Sequence, residues 1–153
     1  LCLVGSEMCI RDSCDLVYAS STSRFATPGV NIGLFCSTPM VALSRNASSK
    51  QSMEMLLTGD LISAEEAEKK GLINKSLSGE ELEEYLLEKA KKISSKSSTT
   101  LKIGKKAFYR QIEMPLDQAY EYASQVMVEN MMDQDAKEGI EAFLEKRNPN
   151  WKK

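Results

Sequence analysis

Helix-start signals recur through the chain after residue 38, and they constrain its fold more than any other feature. Ser63 to Glu66 and Ser78 to Glu81 both have the spacing of a capping box, in which serine bonds the third helical amide and glutamate bonds the serine amide. After the second box, apolar residues follow the period of an amphipathic helix at Leu82, Tyr85, Leu86, Ala90 and Ile93. These signals predict a chain whose second half is helical.

Short strands and further helices are predicted around the two boxes. Strands are expected over 15–19, buried on both faces, and over 24–27 and 72–75, with a loop over 30–37. The other helices are predicted over 39–43, 50–57, 100–111, 116–131 and 136–147. Thr38 is expected to cap the first helix, and Asp135 with Glu138 the last. The fold class is therefore α/β, with two or three strands ahead of a helical C-terminal half.

Composition excludes several classes of function. Hydrophobic residues make up 42% and charged residues 27%, as in a folded domain, and a formal net charge of −2 gives no basic field for nucleic acid. The chain contains no histidine, which removes Ser-His and Cys-His catalysis and most zinc sites. None of its cysteines forms a Cys-x-x-Cys pair, and no apolar run reaches the roughly 20 residues that span a bilayer. We expect neither a metal site nor a membrane span.

Residues 1–13 are predicted to be a non-native leader. The string LCLVGSEMCIRDS begins without Met and lacks the charged start and long apolar run of a signal peptide. It is similar to translated adapter sequence. The alternative is a genuine strand and loop, and no function is assigned to the segment under either interpretation.

Three motifs after residue 13 carry a resemblance to a known family. The first reads MEMLLTGDLISAEEAEKKGLINK over 53–75. The second is CD at 14–15 followed by FATP at 25–28, and the third reads EGIEAFLEKRNPNW over 138–151. In this order and at this spacing, the motifs resemble the enoyl-CoA hydratase/isomerase (crotonase) family, and they cover nearly the whole chain after residue 13.

The resemblance implies a crotonase-like β-β-α spiral, of which this chain holds the last turns, followed by a C-terminal α-helical trimerisation region. The leader would occupy 1–13, the spiral core 14–96 and the helical oligomerisation region 97–153. The resemblance also implies an acyl-CoA thioester of fatty-acid metabolism as substrate or ligand, with no further cofactor. It implies a homotrimer or dimer of trimers, in the mitochondrial matrix of a eukaryote or otherwise in the cytoplasm.

The loop after the second strand is the predicted acyl-CoA pocket. Its residues are Pro28, Gly29, Val30 and Asn31. Hydrating an enoyl thioester requires a base for water and an acid for the α-carbon. In the family pattern one catalytic glutamate follows the proline, where this chain has Gly29, and the other falls at Cys9. No Asp or Glu occurs over 17–52, so no catalytic residue is assigned and hydratase activity is in doubt.

Roles are also predicted for three further sets of side chains. Phe143 and Lys146 are implied to contact the CoA adenine and phosphates, and the alternative makes Phe143 helix core and Lys146 solvated surface. Cys36 is expected to fill space, since no histidine is available to activate it as a nucleophile. The methionines predicted to serve trimer or core packing are Met127, Met131 and Met132.

Three functions remain open at this point. The first is an enzyme acting on acyl-CoA, as a weak hydratase or an isomerase. The second is a non-catalytic acyl-CoA-binding or regulatory homologue. The third is a chain that is inactive as an isolated fragment, because half a spiral leaves strands unpaired.

Overall fold

The computed structural model describes residues 14–151, which divide into an N-terminal unit ending at Leu87 and a C-terminal unit beginning at Glu88. The strands are β1 Tyr18–Ser20, β2 Arg24–Phe25, β3 Ile62–Ser63 and β4 Lys75–Leu77. The helices are α1 Pro39–Asn46, α2 Ser49–Thr58, α3 Ala64–Lys69, α4 Gly79–Ser94, α5 Ser98–Gln111, α6 Leu116–Met132 and α7 Gln134–Leu144, and a 3-10 turn spans Pro28–Ile32. The domain boundary predicted between 96 and 97 lies beyond the end of α4 and stays a prediction.

Two pairs of short strands organise the N-terminal unit. β1 and β4 are parallel with Ala19 opposite Ser76, and β2 and β3 are antiparallel with Phe25 opposite Ile62. Since parallel neighbours need a crossover, the chain between β1 and β4 passes through three helices. Most of the buried apolar residues of this unit form one cluster: Ala19, Phe25, Leu43, Met55, Leu56, Ile62, Ala64, Ala67, Leu72 and Ile73.

Both predicted capping boxes are present. Glu66 N–H donates to Ser63 Oγ at 3.2 Å, and Ser63 N–H donates to the Glu66 carboxylate at 2.8 Å. Ser78 and Glu81 exchange the same pair of bonds. The Ser63 N–H holds the pKa of Glu66 below its usual value, and the Ser78 hydroxyl does the same for the pKa of Glu81. Gly71 ends α3 at a φ of 77°, as its position predicts.

The three helices of the C-terminal unit, α5, α6 and α7, each contact the other two. The Trp151 indole N–H donates to the Ser95 carbonyl at 2.7 Å, and the indole ring lies against Gly139. Ser97 caps α5, and its hydroxyl donates to the buried Asp135 carboxylate at 2.5 Å. The Ser97–Asp135 bond therefore joins the start of α5 to α7, and Trp151 joins the C-terminal segment to Ser95 and to α7. Among residues 14–151, no helix is long and apolar enough to cross a bilayer.

The strand positions differ from those predicted. The strand predicted over 15–19 covers Tyr18–Ser20 and is half-buried rather than buried on both faces. The strand predicted over 72–75 lies at 75–77, and β3 was not predicted at all. Strands this short are determined by which segment they pair with, and local patterns do not contain that information.

Two predicted caps are also wrong. Thr38 makes no side-chain hydrogen bond to α1, whose start relies on Pro39. Asp133, not Asp135, caps α7, because the Asp135 side chain is occupied by Ser97. Glu138 does not complete a capping box either, since its carboxylate binds Arg147.

Candidate functional site

The predicted pocket residues lie together in the 3-10 turn between β2 and α1. Thr27, which precedes the turn and is only 1% exposed, anchors it through a 2.7 Å hydrogen bond from its hydroxyl to the Met55 carbonyl in α2. Pro28 then fixes the first φ of the turn and is exposed. A buried hydrogen bond therefore fixes one end of the turn to α2.

Gly29 occupies a position with no room for a side chain. Its N–H donates to Cys36 Sγ at 3.3 Å, and its carbonyl accepts the Leu34 N–H at 2.9 Å. A Cβ on Gly29 would lie 2.6 Å from the Leu34 carbonyl oxygen and 2.7 Å from Cys36 Sγ. The segment that follows the turn therefore folds back over the very position where the family pattern has a catalytic glutamate.

Val30 and Asn31 face the end of α2. Gly59 ends that helix at a φ of 66°, and a Cβ there would lie 2.9 Å from Val30 Cγ1 and 3.0 Å from Asn31 Nδ2. Glycine is needed at 59 both for its backbone conformation and for this close approach. Val30 is half-buried and Asn31 exposed, so the turn presents one amide side chain and no carboxylate.

The surroundings of the turn are apolar and exposed. Ile32 is 77% exposed and Phe35 44%, and no acidic residue occurs over 17–52. The acidic residue that follows Gly59 along the chain is Asp60, which lines a cavity of about 430 Å³ together with Glu66 and the Glu54–Lys70 ion pair. Asp60 directly follows Gly59, the residue that Val30 and Asn31 approach.

Phe143 and Lys146 lie at the end of α7 in the C-terminal unit. Phe143 is 82% exposed, so its interpretation as helix core is wrong within this chain. Lys146 is exposed and adopts a φ of 56°, alone among the described non-glycine residues. The Lys146 N–H donates to the Phe143 carbonyl and the Arg147 N–H to the Ala142 carbonyl, which makes a Schellman motif with lysine at the usual glycine position.

An ion pair holds the segment that follows Lys146. The Arg147 guanidinium donates to both Glu138 carboxylate oxygens, at 2.6 and 3.0 Å, and the Asn150 N–H donates to the same carboxylate at 2.7 Å. Arg147, followed by the Asn150 N–H, lowers the pKa of Glu138 from 4.5 to about 2. These bonds join helix α7 to residues 147–150, the segment that directly follows Lys146.

Comparison with known proteins identifies the family. A sequence profile for the family described as Enoyl-CoA hydratase/isomerase matches residues 4–153. The chain belongs to the enoyl-CoA hydratase/isomerase family. Mitochondrial enoyl-CoA hydratase domain-containing protein 3 of Mus musculus is 54% identical over 91% of this chain and 46% of its own length. The stretch over 25–45 resembles this subgroup, and the comparison confirms the resemblance.

Solved structures of family members confirm the crotonase-like fold. The crystal structure of human enoyl-CoA hydratase domain-containing protein 3 matches 96% of this chain and 58% of its own, with 48% identity and a TM-score of 0.92. An enoyl-CoA hydratase of Mycobacterium smegmatis matches 96% of this chain and 57% of its own, with 44% identity and a TM-score of 0.92. The chain spans about half the length of the relatives it matches. The trimerisation region stays a prediction.

Some features of this family member were predicted and others were missed. Cys36 fills space as expected, half-buried against the N-terminal core. Its bond to Gly29 and the role of Gly59 were missed, because no local pattern signals either contact. The core role suggested for the methionines is wrong, because Met127, Met131 and Met132 are 60%, 54% and 69% exposed. Cys9 lies outside the described residues.

Proposed function

We propose that this chain is part of an acyl-CoA-binding protein of fatty-acid metabolism that holds thioesters without hydrating them. The observation that carries the proposal is the closed position at Gly29, where the family pattern has a glutamate and where even a Cβ would meet Leu34 and Cys36. This observation favours the non-catalytic homologue over a weak hydratase. Membership of the family supports the ligand class.

Hydration requires more than a pocket. Water must lose a proton as it adds to the β-carbon, and the α-carbon must gain one, so an acid–base residue must lie within hydrogen-bond reach of those atoms. A general acid–base group contributes typically about 100- to 10,000-fold in rate. Asn31 can donate to a thioester oxygen or orient a water, but an amide does not take up the proton. The turn therefore supports binding and orientation, not hydration.

Two separate acyl-CoA contacts are proposed, one at the turn over 28–31 and one at Phe143 and Lys146. An exposed aromatic ring offers stacking to a purine, and an exposed ammonium group attracts phosphates. The first contact lies in the N-terminal unit and the second in the C-terminal unit. Their contributions are separable by experiment.

Turnover of crotonyl-CoA by the full-length protein tests the loss of hydration. We expect crotonyl-CoA to be hydrated no faster with the protein than in buffer alone. If hydration is observed, Asp60→Asn identifies whether that carboxylate supplies the acid, with Asp117→Asn in α6 as the control. A rate that exceeds buffer and falls with Asp60→Asn would replace the proposal with that of an active hydratase.

Calorimetry with a saturated acyl-CoA tests binding. Heat of binding is expected at millimolar ligand or below, and Lys146→Ala and Phe143→Ala are each expected to weaken it. Lys106→Ala, which removes an exposed lysine of α5, is the matched control and is expected to leave the Kd unchanged. No heat with the unmodified full-length protein would disprove the proposed function.

Location and assembly form a second part of the proposal. The relative from Mus musculus is named mitochondrial, which supports a mitochondrial matrix location if the source is eukaryotic. Exposed apolar residues of the C-terminal unit support assembly as a homotrimer or dimer of trimers. Fluorescence imaging of the tagged full-length protein against a matrix marker tests the location, and a cytosolic signal would contradict it.

A further inference from the structure

The loop that carries position 29 is closed on itself by two contacts. The Leu34 N–H donates to the Gly29 carbonyl at 2.9 Å, and the Gly29 N–H donates to Cys36 Sγ at 3.3 Å. Cys36 is half-buried and packs against the core cluster. Its carbonyl also accepts the Met40 N–H at 3.0 Å, which joins the loop to α1.

We infer that Cys36 is the positioning residue of this loop, and that its sulfur and the Leu34 carbonyl together reserve position 29 for glycine. A Cβ at 29 would approach the sulfur to 2.7 Å and the carbonyl oxygen to 2.6 Å, and both distances lie below ordinary contact. A backbone carbonyl cannot rotate aside as a long side chain does. The whole segment 29–36, and not residue 29 alone, therefore keeps a carboxylate out of this loop.

This inference deepens the proposed function, on which its functional consequence rests. If a single missing glutamate were the only departure from the family pattern, Gly29→Glu would restore an acid to an otherwise intact site. With the position closed by residues 34 and 36, the same change instead expels the sulfur and opens the loop. Gly29→Glu in the full-length protein is accordingly expected to show no crotonyl-CoA turnover, and turnover by that variant would overturn the inference.

The coupling between positions 29 and 36 can be measured without any ligand. A double-mutant cycle compares the unfolding equilibrium of the full-length protein with Gly29→Ala, Cys36→Ala and both changes. Removing the sulfur relieves one of the two close contacts, so Gly29→Ala is expected to be about 2- to 100-fold less damaging to the unfolding equilibrium in the Cys36→Ala background. Gly104→Ala in α5, where an added Cβ would meet no atom within 4 Å apart from the local helix backbone, is the control and is expected to show the same effect in both backgrounds. Equal costs of Gly29→Ala in the two backgrounds would overturn the inference.

Amide hydrogen exchange at Gly29 gives a second measurement that requires only variants at position 36. The sulfur accepts this N–H, so Cys36→Ala is expected to speed its exchange, and Cys36→Ser, which keeps an acceptor, to restore part of the protection. Exchange at Gly29 that is the same in all three proteins would contradict the positioning role. Neither measurement uses acyl-CoA, so failure of this inference is distinguishable from failure of ligand binding, which calorimetry on the same variants reports.

Discussion

At the scale of single residues, Lys146 shows backbone strain at a proposed ligand contact. Its φ of 56° is a conformation that costs an L-residue about 1–2 kcal/mol, whereas glycine adopts it freely. Glycine also loses more entropy on folding, by about 0.4–1 kcal/mol. Lys146→Gly is therefore expected to stabilise the protein by up to about 1.6 kcal/mol in urea denaturation, while weakening acyl-CoA binding.

Lys146→Ala separates the two effects. Alanine removes the ammonium group but keeps the left-handed cost, so this variant is expected to lose affinity without gaining stability. If Lys146→Gly is less stable than Lys146→Ala, the strain does not exist as described. If both variants bind acyl-CoA as tightly as the unmodified protein, Lys146 has no part in the site.

Single-residue features differ in how far the sequence predicts them. The missing acid at Gly29 could be read from the sequence because it needs only the order of residues in a motif. The bonds from Thr27 to Met55 and from Gly29 to Cys36 could not, because they depend on how the chain returns after a non-periodic segment. The exposure of Phe143 also escapes sequence analysis, since its helix pattern fits either face.

At the scale of elements, the contacts of Glu138 in α7 with Arg147 and Asn150, called here the C-terminal clamp, are sensitive to acid. The folded pKa of Glu138 is lowered from 4.5 to about 2, so its bond with Arg147 contributes stability that is fully present above pH 4.5. That contribution is lost as the pH falls from about 4.5 to about 2. Glu138→Gln is expected to remove the pH dependence that this pair contributes within that window.

Trp151 reports this change directly. It is the single tryptophan of the chain, and its indole is bonded to Ser95 within the unit that the clamp closes. Urea unfolding followed by Trp151 fluorescence, repeated at several pH values between 2 and 7, measures how the stability of the protein changes with pH. Glu141→Gln, at an exposed position of the same helix, is the control and is expected to keep the pH dependence of the unmodified protein. A Glu138→Gln protein with the same acid transition would disprove the clamp.

Element boundaries were predictable wherever a local signal was sufficient. The capping boxes at Ser63 and Ser78 and the αL glycine at Gly71 involve neighbours within a few residues, and all three were predicted correctly. Strand positions and the cap at Asp133 were not, because tertiary contacts decide them. Asp135 fits a cap by sequence, but the fold buries it against Ser97, which is 38 positions away.

At the scale of the whole molecule, α6 carries a stripe of large apolar residues that are exposed in this chain. Leu116, Tyr120, Met127 and Met131 recur at spacings of four and seven, which place them on one face of the helix. They are 75%, 70%, 60% and 54% exposed. Isolated exposed apolar residues are ordinary, but a continuous stripe of them is typical of an interface.

We expect the full-length protein to sediment as a trimer or dimer of trimers, with this stripe in the contact between copies. A charge at the centre of an apolar interface is costly because it must be desolvated without a partner. The double variant Met127→Glu with Met131→Glu is therefore expected to shift the sedimentation profile to smaller species at the same protein concentration. Gln125→Glu adds a charge to the same helix on a different face and is expected to leave assembly unchanged. Unmodified full-length protein that sediments as a monomer would contradict the assembly, and a stripe variant that still forms the trimer would place the interface elsewhere.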